Sequence, residues 1–198
     1  MYSKSSTGKA SILLIILLPV LFSVTATAQV RYSSTTADLL ISGTSTLHDW
    51  TMKSVKAQCA AVFQFNAAGQ ITGLQELTFS TPANGLKSEH TPMDNNAYKA
   101  LKTDKTPVIT YTLTAVNIAP AAGTSTVTCT GKLTIAGATR DVQVVALCKP
   151  NADNTITVTG TEKISMKEFS IDPPTFMLGT IKTGNDILLS FTLTLKRA

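Results

Sequence analysis

The stretch "DILLSFTLTLKR" (Asp186–Arg197) alternates without a break. Leu189, Phe191, Leu193 and Leu195 fall on one side of an extended chain, and Ser190, Thr192 and Thr194 fall on the other. Successive side chains of a strand point to opposite faces, so this segment reads as a strand with one dry face and one wet face. The same reading holds for Ile109, Tyr111 and Leu113 against Thr110, Thr112 and Thr114. It holds again for Val55, Ala57, Cys59, Ala61, Phe63 and Phe65 against Ser54, Lys56, Gln58 and Gln64. Thr on the exposed side is what strand propensity favours where packing does not choose. Further strands are predicted around 37–46, 71–80, 124–136, 140–149 and 155–163, separated by the turn-forming NAAGQ, PAAGT, NADN and KTGND.

One hairpin can be given a register. In "TCTGKLTIAGATRDVQVVALCK" (Thr128–Lys149) a turn near Gly137–Arg140 would set Gly137 opposite Arg140. Leu133 then faces Val144, Ile135 faces Val142, Gly131 faces Ala146 and Cys129 faces Cys148, all on the apolar face. Opposed Cβ atoms lie close enough for a disulfide when the geometry is right. Cys129 and Cys148 are therefore expected to be neighbours, bonded or free, with Cys59 a lone buried thiol. Three small core hydrophobes are an equally good reading of the redox state.

One helix stands out. "HTPMDNNAYKALKTDKTP" offers Thr91 as N-cap, Pro92 at the first helical position and Asp94 in the first turn. Met93, Ala97 and Leu101 recur at four-residue spacing with Tyr98 beside them, and Pro107 marks the return to strand. One short helix within about eight antiparallel strands predicts an all-β fold, a barrel or a sandwich. An eight-stranded barrel is about the size whose interior holds one small ligand.

The chain has 198 residues, enough for a single domain with a substantial core. Its first 28 residues read as a secretory signal, with Lys4 and Lys9 ahead of an apolar run (Ala10–Val24) and Ala26-Thr27-Ala28 at the cleavage site. The mature chain is then expected to begin at Gln29 and to be periplasmic or secreted. The apolar run is short and broken by Pro19, so no stable membrane anchor is expected. No Cys follows the cleavage site, which argues against a lipoprotein. Removing Lys4 and Lys9 from the 17 basic residues leaves 15 against 12 acidic, a net charge near +3. With no basic run interleaved with aromatics, nucleic acid is not an expected partner. Three Cys at 59, 129 and 148 match no zinc or redox spacing, so no metal and no cofactor is expected.

The polar cluster in "ISGTSTLHDWTMKS" (Ile41–Ser54) carries Ser45, His48, Asp49 and the single Trp, Trp50. Its residue types suit a hydrolase, but no G-x-S-x-G elbow is present, and His48 and Asp49 would point to opposite faces of a strand. The preferred reading is a bend or strand end, with Trp50 packed in a core or at a pocket rim. "DPPTFMLG" (Asp172–Gly179) is a Pro-stiffened loop carrying Phe176, Met177 and Leu178, either a hydrophobic rim or a packed loop.

Four segments in order resemble the YceI-like family of exported lipid-binding proteins. They are "LISGTSTLHDWTMKS", "MDNNAYKALKTDKTPVITYTL", "GKLTIAGATRDVQVVAL" and "EKISMKEFSI", and they span nearly the whole chain after residue 28. The resemblance implies a lipocalin-like antiparallel barrel whose apolar lumen holds a long-chain amphiphile, a polyisoprenoid or fatty-acid-like lipid, without catalysis. Many relatives carry an Arg-Asp pair at the helix start, where this chain has Met93-Asp94, so the head-group preference stays open. Inward residues of the registered strands are the lumen candidates: Phe63, Phe65, Ile109, Tyr111, Leu133, Ile135 and Val144. Trp50, Met93, Tyr98, Leu101, Phe169, Phe176 and Met177 are candidates for the rim or lid. The competing readings are a filled barrel that binds a protein partner or has a structural role, and a hydrolase using Ser45 and His48. A homodimer is compatible with all of them.

Overall fold

The computed structural model describes residues 28–198. The expected signal segment, apart from Ala28, lies outside the described residues. In chain order the elements are β1 (Ala28–Ser45), β2 (Trp50–Ser54), β3 (Gln58–Phe65), β4 (Ile71–Pro82), α1 (Thr91–Ala100) and β5 (Val108–Ala121). They continue with β6 (Thr124–Ile135), β7 (Ala138–Pro150), β8 (Thr155–Ser165), β9 (Thr175–Phe176) and β10 (Ile181–Arg197). Strands β1, β3, β4, β5, β6, β7, β8 and β10 pair in that order, and β10 returns to β1 from Tyr32↔Arg197 to Ser45↔Thr183. The fold is therefore a closed barrel of eight antiparallel staves with one helix, and closure leaves no long edge unpaired. The short β9 pairs with the start of β10 through Phe176 and Ile181.

The 54–65 alternation needs a correction. β2 and β3 lie along β1 in one register, Leu39↔Ser54 and Ser33↔Ala60, as two halves of one stave interrupted at 55–57. At the interruption the inward set changes parity, from Met52 and Ser54 to Cys59, Ala61 and Phe63. β1 changes parity too, at its irregularity between Ser34 and Thr36, from Tyr32 to Ala37 and Leu39. A single kink thus crosses both strands. Val55, expected inward, is 76% exposed, and Ser54, expected outward, is 1% exposed. Ser54 is satisfied in the interior by a 3.1 Å hydrogen bond with the Thr81 hydroxyl, as a buried polar group must be.

The hairpin register also differs. The turn is Ala136-Gly137, both at positive φ (51° and 84°), so Ile135 pairs with Ala138. Two central residues at positive φ match the type I′ geometry that suits strand twist. Leu133 therefore faces Arg140, Ile135 faces Ala138, Gly131 faces Val142, and Val144 faces Cys129. Because the slip is even, every apolar residue keeps its face. The expected opposition of Cys129 and Cys148 is lost: Cys148 faces Ser125, and all three Cys are free and buried.

The two ends of the barrel differ. Short turns close one end, at 66–70, 122–123 and 151–154. Phe63, Ile71, Val127, Ile156 and Leu195 pack there with at most 1% exposure, and Tyr32 meets Phe63 edge to face at 5.7 Å. At the other end, beside the tight 136–137 turn, lie the four-residue β1–β2 loop and the two long connections, the segment carrying α1 and the 166–180 segment carrying β9. Up-and-down connectivity puts them together, since each joins strand ends on the same side.

Candidate functional site: an apolar lumen

Between that packed floor and α1 lies a cavity of about 580 Å³, within the range of about 300–1,000 Å³ usual for ligand pockets. Its walls are the inward residues of the staves. Of the lumen candidates, Phe63, Ile109, Tyr111, Leu133, Ile135 and Val144 line it. Phe65 does not; it packs below the floor against Phe63 and Tyr32, with ring centroids 6.3 and 6.1 Å away. Of the rim candidates, Trp50, Met93, Leu101, Phe169 and Phe176 line the cavity. Phe169 does so as an interior residue, 1% exposed, rather than at the rim. Met177 and Tyr98 do not line it. Met177 projects outward at 66% exposure.

Three glycines help to keep the centre open. Gly43 pairs with Trp50, Gly160 pairs with Phe191, and Gly131 lies diagonal to Tyr111, which pairs with Leu133. A Cβ at any of the three positions would collide with that ring. Each aromatic side chain therefore lies down on the wall, over backbone that has no side chain, instead of reaching across the lumen. Polar tips are anchored in the wall as well. Trp50 Nε1 donates to the Thr44 carbonyl at 3.0 Å, and the Tyr111 hydroxyl donates to the Cys129 carbonyl at 3.1 Å. Burial raises the Tyr111 pKa well above its ordinary value.

α1 covers part of the open end. Met93, Ala97 and Leu101 face Leu39, Ile41, Met52 and Leu86 beneath them. The helix starts one residue earlier than predicted, with His90 as N-cap and Pro92 in the first turn. Asp94 ties it to the preceding segment. Its carboxylate, 5% exposed, accepts from the Ser88 N–H and hydroxyl, both at 2.7 Å, and meets the Lys87 ammonium at 3.5 Å. Tyr98 completes the clamp by donating to the Asn84 and Leu86 carbonyls, with Lys87 5.0 Å above its ring. Burial pushes the Asp94 pKa up, but the Ser88 hydrogen bonds and the Lys87 charge outweigh it, so the net shift is downward. A depressed carboxyl stabilises the fold above its unfolded pKa and loses that contribution as pH falls through the folded value. Asp94→Asn is expected to cost roughly 2 kcal/mol at neutral pH, the range for hydrogen bonds to a charged group. In denaturant titrations the gap between wild type and variant should close in acid.

The Ser45/His48 cluster has no hydrolase geometry. Ser45 Oγ accepts from the Leu47 and His48 N–H groups and donates to the His48 carbonyl at 2.7 Å. His48 Nδ1 lies 2.7 Å from the Asp49 carbonyl oxygen. The segment is a tight turn at the open end, and Trp50 points inward from it.

The three thiols also face the lumen. Burial pushes Cys59 and Cys148 up to about 12 and Cys129 up to about 11, with nearby thiols adding to the first two. Reactivity follows the thiolate. A charged thiol reagent at pH 8 is therefore expected to titrate none of them in the native protein and all three after non-reducing denaturation. A single titratable thiol in the unfolded chain would restore the bridge.

Several lining residues lie outside the predicted set, among them Ile41, Met52, Phe79, Glu162, Leu189 and Phe191. Leu189 and Phe191 were on the dry face already read in β10. Glu162 was visible as a lone acid on the apolar face of "TITVTGTEKIS".

The YceI-like domain family model matches residues 42–195. The fold is similar to that of BcnA of Burkholderia cenocepacia, with a TM-score of 0.64 and 17% identity, covering 80% of this chain and 95% of that one. It is similar to a polyisoprenoid binding domain from Saccharophagus degradans implicated in plant cell wall breakdown (TM-score 0.62, 11% identity, 85% and 99% covered). It is also similar to the Campylobacter jejuni YceI protein (TM-score 0.54, 21% identity, 71% and 81% covered). No protein of curated function matches the sequence.

Proposed function

From the premise that the chain belongs to the YceI-like domain family, we propose that it is a non-catalytic binding protein that holds one long-chain amphiphile, a polyisoprenoid or fatty-acid-like lipid, in its lumen. The observation that carries this reading is the hollow, almost wholly apolar cavity between floor and helix. Each methylene moved from water into such a space contributes about 0.8 kcal/mol, so a long chain needs few polar contacts. The polyisoprenoid binding domain among the structural neighbours supports the same ligand class. The hollow lumen disfavours the filled-barrel alternative.

The sequence of residues 1–28 supports export, so the proposed place of action is the periplasm or the exterior. Organic extraction of the purified protein, followed by mass spectrometry, tests the reading. Close to one long-chain lipid per barrel is expected. A lipid-free protein that also takes up no chain when offered one would overturn it.

A further inference from the structure

We infer that Glu162 selects the head group, so that the amphiphile carries a hydrogen-bond donor, a hydroxyl or amine, and not an anionic group at that depth. This rests on the lipid-binding reading above. On β8 the inward row is Ile156, Val158, Gly160, Glu162 and Ile164, and Glu162 pairs with the inward Leu189 of β10. It is the only acid lining the cavity among the described residues, and no Lys or Arg lines it. None of the ion pairs among the described residues involves its carboxylate; the adjacent Lys163 N–H lowers its pKa, but desolvation outweighs it. Tyr111 lines the same cavity, but its hydroxyl proton is already directed to the Cys129 carbonyl.

Glu162 is half-buried on the cavity wall, and partial desolvation there raises its pKa. A ligand donor would supply the missing partner. A carboxylate or phosphate head would instead set two like charges together with no cation to offset them. Glu162 lies three residues before the end of β8 at Ser165, on the open side. A head group there leaves the tail to run down to the Phe63–Leu195 floor.

The test uses the purified, delipidated protein and displacement of a fluorescent alkyl probe by hexadecanol and by hexadecanoate at pH 8. Hexadecanol should displace the probe at a concentration lower by roughly tenfold or more, the effect of one charge-assisted hydrogen bond. In Glu162→Gln the ratio should fall to near one; if that variant does not fold, Glu162→Met serves the same purpose. Equal displacement by the two in wild type, or an unchanged ratio in the variant, would overturn the inference while leaving the lipid-binding reading intact. Displacement by neither would overturn both.

Discussion

Gly131→Val is expected to destabilise the barrel by about 3 kcal/mol, the sum of overpacking and a disturbed buried hydrogen bond. A Cβ at this position would stand 2.5 Å from the Thr112 carbonyl oxygen and the same distance from Cζ of Tyr111. The carbonyl belongs to the β5–β6 ladder, where Thr112 pairs with Lys132 and Leu113 with Gly131, so it cannot retreat without breaking pairing. The ring has only the lumen to move into, which costs Tyr111 its hydrogen bond to Cys129. The shift in denaturant midpoint at constant slope measures the cost. A change within a few tenths of a kcal/mol would refute the role given to the glycine.

Val144→Trp should leave the fold and remove the function. Val144 is half-buried on β7, lines the cavity and pairs with Cys129. An indole there has empty lumen to occupy, so the barrel should remain folded by circular dichroism. It would displace roughly three or four methylenes of a bound chain, a loss of roughly a hundredfold in affinity at about 0.8 kcal/mol each. Unchanged affinity would place the ligand somewhere other than the lumen.

Both predictions depend on register, which was only partly legible in the sequence. The dry face of β10 was plain because Leu189, Phe191, Leu193 and Leu195 alternate with Ser and Thr over the whole segment. The Met93–Ala97–Leu101 stripe was plain for the same reason at helical period. The register of the Gly137 hairpin is hidden because Ala136 adopts positive φ, which few residues other than Gly do readily. An even slip keeps all faces, so the pattern could not expose the error. The parity change at 55–57 was hidden because Ser54 is buried through a partner, Thr81, 27 residues away.

The meeting of the His48 turn, α1 and the Phe176 loop at one end follows from topology rather than from any local motif. The glycine–aromatic pairs were invisible for a related reason. Gly43, Gly131 and Gly160 are ordinary glycines until pairing shows which ring lies across each.

Trp50 offers the most direct test of an occupied lumen. It is the only Trp in the chain, lines the cavity, and is held over Gly43 at the open end. A long-chain alcohol brominated along its tail should quench its fluorescence saturably, at one chain per barrel, in the delipidated protein. Val144→Trp, carrying a reporter inside the lumen, should be quenched only at far higher concentrations. Trp50 fluorescence that stays constant up to the solubility limit of the brominated chain would contradict the account.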